Sequence, residues 1–239
     1  MADGDQRDRN RFEIETAKAE KEIAAETAAA LVEDGMTVGL GTGSTVAFLL
    51  TALASRHLSI HCVATSPATE TLGREAGLSI EAFDSPGAPS RLDIAIDGAD
   101  QVAPDGWLVK GAGAAHTREK VVAATTDRFV VIVSANKLVE ALSPPVPLEI
   151  LAFGSPSTFR RLPGAIRRPA TPRSPEGGII ADWLYSFSDP DTLSRYLDSV
   201  PGVISHGLFP PSMVHDVIVA GRHYRCPPSG QLPGGWIRR

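Results

Sequence analysis

With 239 residues, 43% hydrophobic and 21% charged, the chain has the composition of a soluble globular protein able to bury a substantial core. A formal net charge of −5 argues against nucleic acid or an anionic membrane surface as the main partner. It leaves room for a local cationic pocket and an anionic substrate. No apolar run approaches the ~20 residues that span a bilayer, and residues 1–11 lack the apolar stretch of a secretory signal. Cys62 and Cys226 stand far apart without a ligand pattern, as free thiols of a cytoplasmic protein would.

Phe12, Ile14, Ala17, Ile23, Ala24, Ala28, Leu31 and Val32 recur at helical spacing, with Gly35 as a stop. One long amphipathic helix is therefore predicted to end near Asp34, behind a frayed N-terminus. Thr37, Val38 and Leu40 suit a buried strand ending at a glycine-rich bend, where Gly39, Gly41 and Gly43 allow φ > 0 or close backbone approach. Thr42, Ser44 and Thr45 bring hydroxyls and capping ability to a helix over 45–54. His61–Ala64 reads as a strand, and Thr65-Ser66-Pro67 opens a helix that stops at Gly77.

Strands over 78–83 and 92–96, an extended piece over 107–109, a helix over 117–125 and a strand over 129–133 complete the pattern. This alternation predicts an α/β fold with a doubly wound, mostly parallel sheet. The Pro- and Arg-rich residues 143–178 read as loops and linkers. Regularity resumes with strands over 179–182, 202–204 and 216–220 and a helix over 189–200. The expected division is an α/β domain of residues 1–142 and 211–239 and a small appended α+β domain of residues 143–210. The tail from Pro227 has no evident fold.

Three polar clusters fall at predicted strand ends, where ligands of such sheets bind. G-T-G-S-T (41–45) offers helix-start amides for a phosphate, or is a plain strand-to-helix turn. In D-G-A-D (97–100), Asp97 and Asp100 could hold different protonation states and shuttle protons, or simply form an Asp-Gly turn. Lys110, before Gly111, Ala112 and Gly113, could neutralise a phosphate or an enolate, or lie on the surface. Glu119 is a candidate base or a solvated first-turn carboxylate, and Lys137 a ligand contact or a surface charge. Neither G-x-S-x-G nor a His/Cys cluster of metal-ligand spacing is visible. The inventory suits proton transfer on a polyhydroxylated, phosphorylated substrate with no metal and no cofactor.

G-L-G-T-G-S-T (39–45), T-S-P-A-T-E-T-L (65–72), D-G-A-D (97–100), K-G-A-G-A-A-H-T-R-E-K (110–120) and S-A-N-K (134–137) closely resemble ribose-5-phosphate isomerase of the A type. The resemblance covers roughly residues 13–150, with P-V-P-L-E-I (145–150) and P-G-V-I-S-H-G-L-F (201–209) as further pieces. It implies that D-ribose 5-phosphate and D-ribulose 5-phosphate are interconverted through a cis-enediol, in the pentose phosphate pathway. It further implies that Thr42, Gly43, Ser44 and Thr45 bind substrate. Asp97, Gly98, Ala99 and Asp100 would handle its hydroxyls and assist ring opening. Lys110, Gly111, Ala112 and Gly113 would bind it and stabilise the enediolate, Glu119 would be the base, and Lys137 would help hold the phosphate. A homo-oligomer, dimer or tetramer, is also implied.

The chain departs from the family pattern at Gln101, Ala112, Ser134 and His116, and across residues 151–178. Two other functions stay open on sequence: a non-catalytic sugar-phosphate-binding protein of the same fold, and an amino-sugar-phosphate deaminase with a similar glycine loop. No helix-turn-helix segment precedes the first helix, and D-G-A-D together with T-R-E-K favours the isomerase.

Overall fold

Runs such as Ile94–Asp97 and Phe129–Val133 are apolar at nearly every position, which suits strands covered on both faces. The computed structural model describes residues 2–226, with side chains from Arg11 onward. The tail from Pro227 lies outside the described residues. In chain order the elements are α1 (Ala2–Ala29), β1 (Thr37–Leu40), α2 (Ser44–Ser55), β2 (His61–Ala64), α3 (Pro67–Glu75), β3 (Ile80–Glu81) and β4 (Ile94–Asp97). Then come β5 (Gln101–Val102), β6 (Leu108–Val109), α4 (His116–Thr125), β7 (Phe129–Val133), β8 (Val146–Ile150), α5 (Ser155–Arg161) and β9 (Ala165–Arg167). The chain closes with β10 (Ile179–Trp183), α6 (Pro190–Ser199), β11 (Val203–His206), β12 (Leu208–Phe209), β13 (Asp216–Val219) and β14 (Arg222–Arg225).

The main sheet has seven strands in the order β14-β13-β7-β4-β1-β2-β3, parallel except for β14. Alternate residues serve its two faces. Ile94, Ile96, Val130, Ile132 and Ile218 pack with α1 and α2, while Ala95, Val131, Val133, Val217 and Val219 pack with α4. Strand order reverses at β1, which pairs with β2 on one side and β4 on the other. The loops after β1 and β4 therefore flank a topological switch point, where such sheets open a crevice.

A four-stranded antiparallel sheet, β11-β8-β10-β9, packs with α5 and α6 around Leu148, Ile150, Leu162, Trp183, Leu193 and Leu197. A three-stranded sheet, β12-β6-β5, joins the two cores. Leu108 and Phe209 belong to the main-sheet core, and Val109 and Leu208 to the smaller one.

Several sequence expectations need correction. Helix α1 starts at Ala2 and ends at Ala29, not near Asp34. Arg56 closes this end, its guanidinium donating to Ala29 O, the helix's last carbonyl, and, at 2.6 Å, to Val32 O in the turn beyond. Gly35 instead turns the chain into β1, with its amide on Ser59 O at 2.8 Å. Phe12 and Ile14 are exposed, and the buried face is the small-residue stripe of Ala24, Ala25, Ala28 and Ala29. The strand expected over 78–83 keeps only Ile80 and Glu81, the residues that pair with Cys62 and Val63. Residues 143–178 are not linkers but contain β8, α5 and β9. Prolines are accommodated within these elements: Pro156 lies in the first turn of α5, where its missing amide is harmless, and Pro147 lies in β8 with its carbonyl accepting from Gly207 N at 2.7 Å.

The glycine at the middle of β1 is set by packing. A Cβ on Gly39 would lie 2.5 Å from Val122 Cγ1 and 2.8 Å from Ala95 Cβ, so α4 could not seat on the sheet unchanged. Gly39→Ala is expected to lower stability by about 1–3 kcal/mol. Urea unfolding should show this as a lower midpoint at unchanged slope, and an unmoved midpoint would contradict the close seam.

Candidate active site

The site is built from the loops at the switch point. Gly41 ends β1 against the start of D-G-A-D, where a Cβ would fall 2.0 Å from Asp97 Cγ. Only hydrogen fits, and this lets Asp97 Oδ1 accept from Thr42 N at 3.1 Å and Gly98 N at 2.7 Å. Gly43 has φ 120, the left-handed side of backbone space, and turns the loop into α2. The T-S-P-A-T segment braces this loop. Thr65 Oγ1 meets Thr42 Oγ1 at 2.8 Å, Thr69 Oγ1 donates to Gly41 O at 2.8 Å, and Ser66 caps α3.

The expectation that the loop hydroxyls cap α2 is not met. The cap position is Gly43, which has no side chain, and Ser44 Oγ instead accepts from Lys21 Nζ at 3.0 Å. The first amides of a 12-residue helix are thus left to a ligand or solvent. Lys21 was not singled out from the sequence. It lies 23 positions before its partner inside a charged helix, so no local pattern marks it. Lys137 follows β7 on the short turn Ala135–Lys137, whose first amide is held by Glu20 Oε2 of α1 at 2.8 Å. Lys21, the α2 amides and Lys137 together give one wall of the crevice a positive character.

The opposite wall is a buried charge cluster. Lys110 is 2% exposed, and its ammonium lies 2.9 Å from Asp97 Oδ2 and 3.2 Å from Glu119 Oε2 while donating to Gly98 O. Glu119 projects from the first turns of α4 and is 4% exposed, so it is not the solvated carboxylate its position allowed. Lys110 reaches this place from β6, a strand of the small antiparallel sheet rather than of the main sheet. K-G-A-G thus meets the other two clusters by folding over the rim, not by ending a parallel strand. Asp100 accepts from Ala112 N at 2.8 Å and ties that loop to D-G-A-D.

A cavity of about 220 Å³ lies between the walls. Thr42, Gly43, Ser44 and Thr45 line it from the glycine loop, with Lys21 and Lys137 beside them. Gly98, Ala99 and Asp100 line it from D-G-A-D, and Lys110, Gly111, Ala112, Gly113, Glu119 and Val133 complete it. Asp97 stands behind the cavity wall, in contact with Lys110.

Burial drives the titration of this cluster. Desolvation, then the nearby Asp97, pushes Glu119 up to about 8 against the pull of Lys110. Burial also raises Asp97, and burial would lower Lys110 but for the two carboxylates, which hold it above the usual lysine range. Asp97 accepts two backbone amides that favour its anion, so the shared proton rests on Glu119 at neutral pH. The arrangement offers a fixed ammonium, a carboxylate anion and a second carboxyl able to give or take a proton near pH 7.

Of the departures from the family pattern, Ala112 lines this cavity and the others lie off it. Gln101 turns to the backbone of Ser143, donating to its carbonyl at 2.9 Å and accepting from its amide at 2.8 Å. Ser134 is buried and donates to Asn136 Oδ1 at 2.6 Å. His116 is fully buried, and burial followed by the charges of Lys120 and Arg168 pushes it down to about 3, so its ring is neutral. Among the described residues, no helix is long and apolar enough to cross a membrane, and no group of His, Cys, Asp and Glu is arranged to hold a metal ion.

Comparison with known proteins agrees with this geometry. The family model described as Ribose 5-phosphate isomerase A (phosphoriboisomerase A) matches residues 61–223. The ribose-5-phosphate isomerase A of Roseiflexus sp. (strain RS-1) is 41% identical over 205 residues, covering 79% of this chain and 87% of that protein. The solved ribose 5-phosphate isomerase A of Methanocaldococcus jannaschii superposes with a TM-score of 0.79 at 30% identity, over 86% of this chain and 98% of that one. A D-ribose-5-phosphate isomerase solved in complex with phospho-erythronic acid gives a TM-score of 0.77 at 33% identity, over 84% and 93% of the two chains. The chain belongs to the ribose 5-phosphate isomerase A family.

Proposed function

We propose that this protein is an aldose–ketose isomerase that interconverts D-ribose 5-phosphate and D-ribulose 5-phosphate, the non-oxidative pentose phosphate reaction of its family. The observation that carries the mechanism is the buried Lys110 ammonium held between Asp97 and Glu119 at a cavity whose other wall is cationic. The substrate phosphate sits against the α2 amides, the Ser44 and Thr45 hydroxyls, Lys21 and Lys137. Asp97 and Asp100 manage the hydroxyl protons as the sugar ring opens.

Glu119, as its carboxylate, removes the proton from C2. The C–H electron pair forms the C1–C2 double bond, and the carbonyl electrons move onto O1. Lys110 and the loop amides of Gly111–Gly113 stabilise that oxyanion as it forms. Proton exchange between O2 and O1, and return of the Glu119 proton to C1, give the ketose. The electron pairs stay within the substrate while protons pass through Glu119 and between O2 and O1, so no external oxidant is consumed. By the same chemistry, phospho-erythronic acid is proposed to bind here, its planar carboxylate standing in for the planar enediolate.

The same reading extends to organisation. Among the described residues, 2–142 with 211–226 form the sugar-phosphate-binding unit and residues 143–210 the appended one. Exposed Phe153, Ile166, Leu184 and Tyr185 on the latter support a homo-oligomer, dimer or tetramer. Free Cys62 and Cys226 suit a reducing cytoplasm. Light scattering is expected to give a mass of two or four chains.

With EDTA present, wild type is expected to convert ribose 5-phosphate to ribulose 5-phosphate, and Glu119→Gln to lose roughly 100-fold or more in kcat. An active wild type with an equally active variant would remove Glu119 from the mechanism.

The buried carboxyl also makes a stability prediction. Glu119 in the fold titrates at about 8 instead of 4.5, so the folded chain holds a proton that the unfolded chain releases between those values. Its contribution is present below pH 4.5 and is lost as pH rises through 8. Glu119→Gln removes that loss, so its thermal midpoint relative to wild type should climb between pH 5 and pH 9, by the equivalent of about 1 kcal/mol or more. Lys120, lowered to about 8 by burial, acts in both proteins and cancels from the difference. A pH-independent difference would place the Glu119 carboxyl in the ordinary range.

A further inference from the structure

We infer that Arg168 is a positioning residue for the isomerisation, one that sets the direction of the Gly113 amide by holding the two carbonyls before it. The inference rests on the isomerase reading above and adds to it a residue outside the cavity.

Arg168 follows β9 in the Pro/Arg-rich segment, and its backbone is fixed by donation to Ile180 O at 3.0 Å. Its side chain is half-buried and spans two units of the fold. Nε and Nη2 donate to the two oxygens of Asp182 on β10, at 2.9 and 2.6 Å, in the fork that guanidinium and carboxylate form best. Nη1 turns the other way and donates to Gly111 O at 3.2 Å and Ala112 O at 3.0 Å. One planar group thus joins the four-stranded sheet to two successive carbonyls of the K-G-A-G loop.

Peptide planarity carries the consequence across the backbone. In a trans peptide the carbonyl and the following N–H point in opposite directions. The Gly111–Ala112 peptide behaves this way: its oxygen faces Arg168, and its amide donates to Asp100 Oδ2 at 2.8 Å. The Ala112–Gly113 peptide has its oxygen on the same guanidinium, so the Gly113 N–H is sent away from Arg168. Gly113 lines the catalytic cavity as well as the neighbouring one that Arg168 lines, and we assign the N–H to the former. There it is placed to donate to the oxyanion of the enediolate.

The loop needs such a hold. Gly111 lies at φ 109, and Ala114, a non-glycine residue, at φ 60. The Gly111–Ala112 peptide is also held from within, since Ala114 N donates to Gly111 O at 3.0 Å and Ala112 N to Asp100, whereas the Ala112–Gly113 peptide takes its hold from Arg168 on Ala112 O. A Cβ on Gly111 would meet His116 Nδ1 at 2.8 Å and Pro147 Cβ at 2.9 Å, so the loop is close-packed beneath. The packing and the Ala114–Gly111 turn limit where the loop sits, and Arg168 fixes which way the Ala112–Gly113 peptide faces. A lysine could reach one carbonyl but could not keep the Asp182 fork while bonding both.

A purely structural tie between β9 and β10 would use the same Asp182 contact, so the test must separate the two roles. Wild type, Arg168→Met, Arg168→Lys and Asp182→Asn would be compared for kcat, KM, thermal midpoint and the Kd values of phospho-erythronic acid and inorganic phosphate. A misdirected oxyanion donor predicts that Arg168→Met loses about 10- to 100-fold in kcat, with KM within about threefold. Phospho-erythronic acid should weaken by at least about tenfold and phosphate by less than about twofold, because only the former presents a carboxylate to the amide. Arg168→Lys should recover part of the loss.

Equal weakening of both ligands, or kcat within about twofold of wild type in folded Arg168→Met, would overturn the inference. Should Arg168→Met fail to fold, Asp182→Asn keeps the guanidinium but loosens its anchor. It must then show the same selective weakening of phospho-erythronic acid, and its absence overturns the inference equally. A wild type that binds both ligands without turnover would overturn the isomerase reading, while the ratio of the two Kd values still decides the role of Arg168.

Discussion

A lysine ammonium shared by two buried carboxylates is the interaction on which the rest of this structure depends. Each of the three charges would be expensive alone in the interior, and removing any one leaves its neighbours uncompensated. The fold brings them together from three elements, Asp97 from the end of β4, Lys110 from β6 and Glu119 from α4. One positive and two potentially negative groups cannot all stay charged without an excess, so one carboxyl keeps a proton. Backbone amides from Thr42 and Gly98 favour the Asp97 anion and leave the proton on Glu119. The cluster that is costly to bury is therefore poised near neutrality, as proton transfer between adjacent carbons requires.

The surroundings answer to this cluster. Gly41 is bare because Asp97 occupies the space of its Cβ. The ammoniums of Lys110 and Lys120 both approach the Phe209 ring, at 5.5 and 5.1 Å, which gives the buried cations a favourable aromatic face. Lys120 in turn donates to His206 O at 2.7 Å. The small three-stranded sheet, unremarked in the sequence, delivers Lys110 and Phe209 from adjacent strands.

What could be read from the sequence was what is local. Strand β7, the Ser66-Pro67 start of α3 and the Asp189 cap of α6 declare themselves within a few residues, and the structure has them where the pattern puts them. The polar clusters were legible as turns rich in glycine and small hydroxyl residues. Their meeting was not, since Lys110 reaches the rim from an antiparallel strand of two residues, too short to carry a period. The burial of Glu119 was equally hidden, because a first-turn carboxylate looks the same whether it faces solvent or Lys110. Lys21 and Arg168 act on partners 23 and 56 or more residues away, across elements that no local pattern connects. The prolines of 143–178 misled for the opposite reason: they are locally disruptive, yet β8 carries Pro147 and the first turn of α5 carries Pro156.

The departures from the family pattern can be weighed by where they point. Gln101 lacks a charge that a glutamate would bring, and its amide is engaged with the Ser143 backbone. Ala112 adds a methyl where the family has glycine, yet its φ is not positive, so the methyl costs no backbone strain, and its amide still reaches Asp100. His116 adds a ring that burial keeps neutral, so it introduces no competing charge beside Lys110. The chain has therefore changed residues that shape the loop's outer side while keeping the Asp97–Lys110–Glu119 cluster. In the proposed reaction the oxyanion would be met by backbone amides as well as by Lys110, so the consequence falls on how firmly that outer side holds the peptides. In this chain Arg168 and Asp182 carry that duty from the appended sheet. Drift in residues 151–178 is tolerable to the chemistry only where it preserves their reach to Gly111 and Ala112.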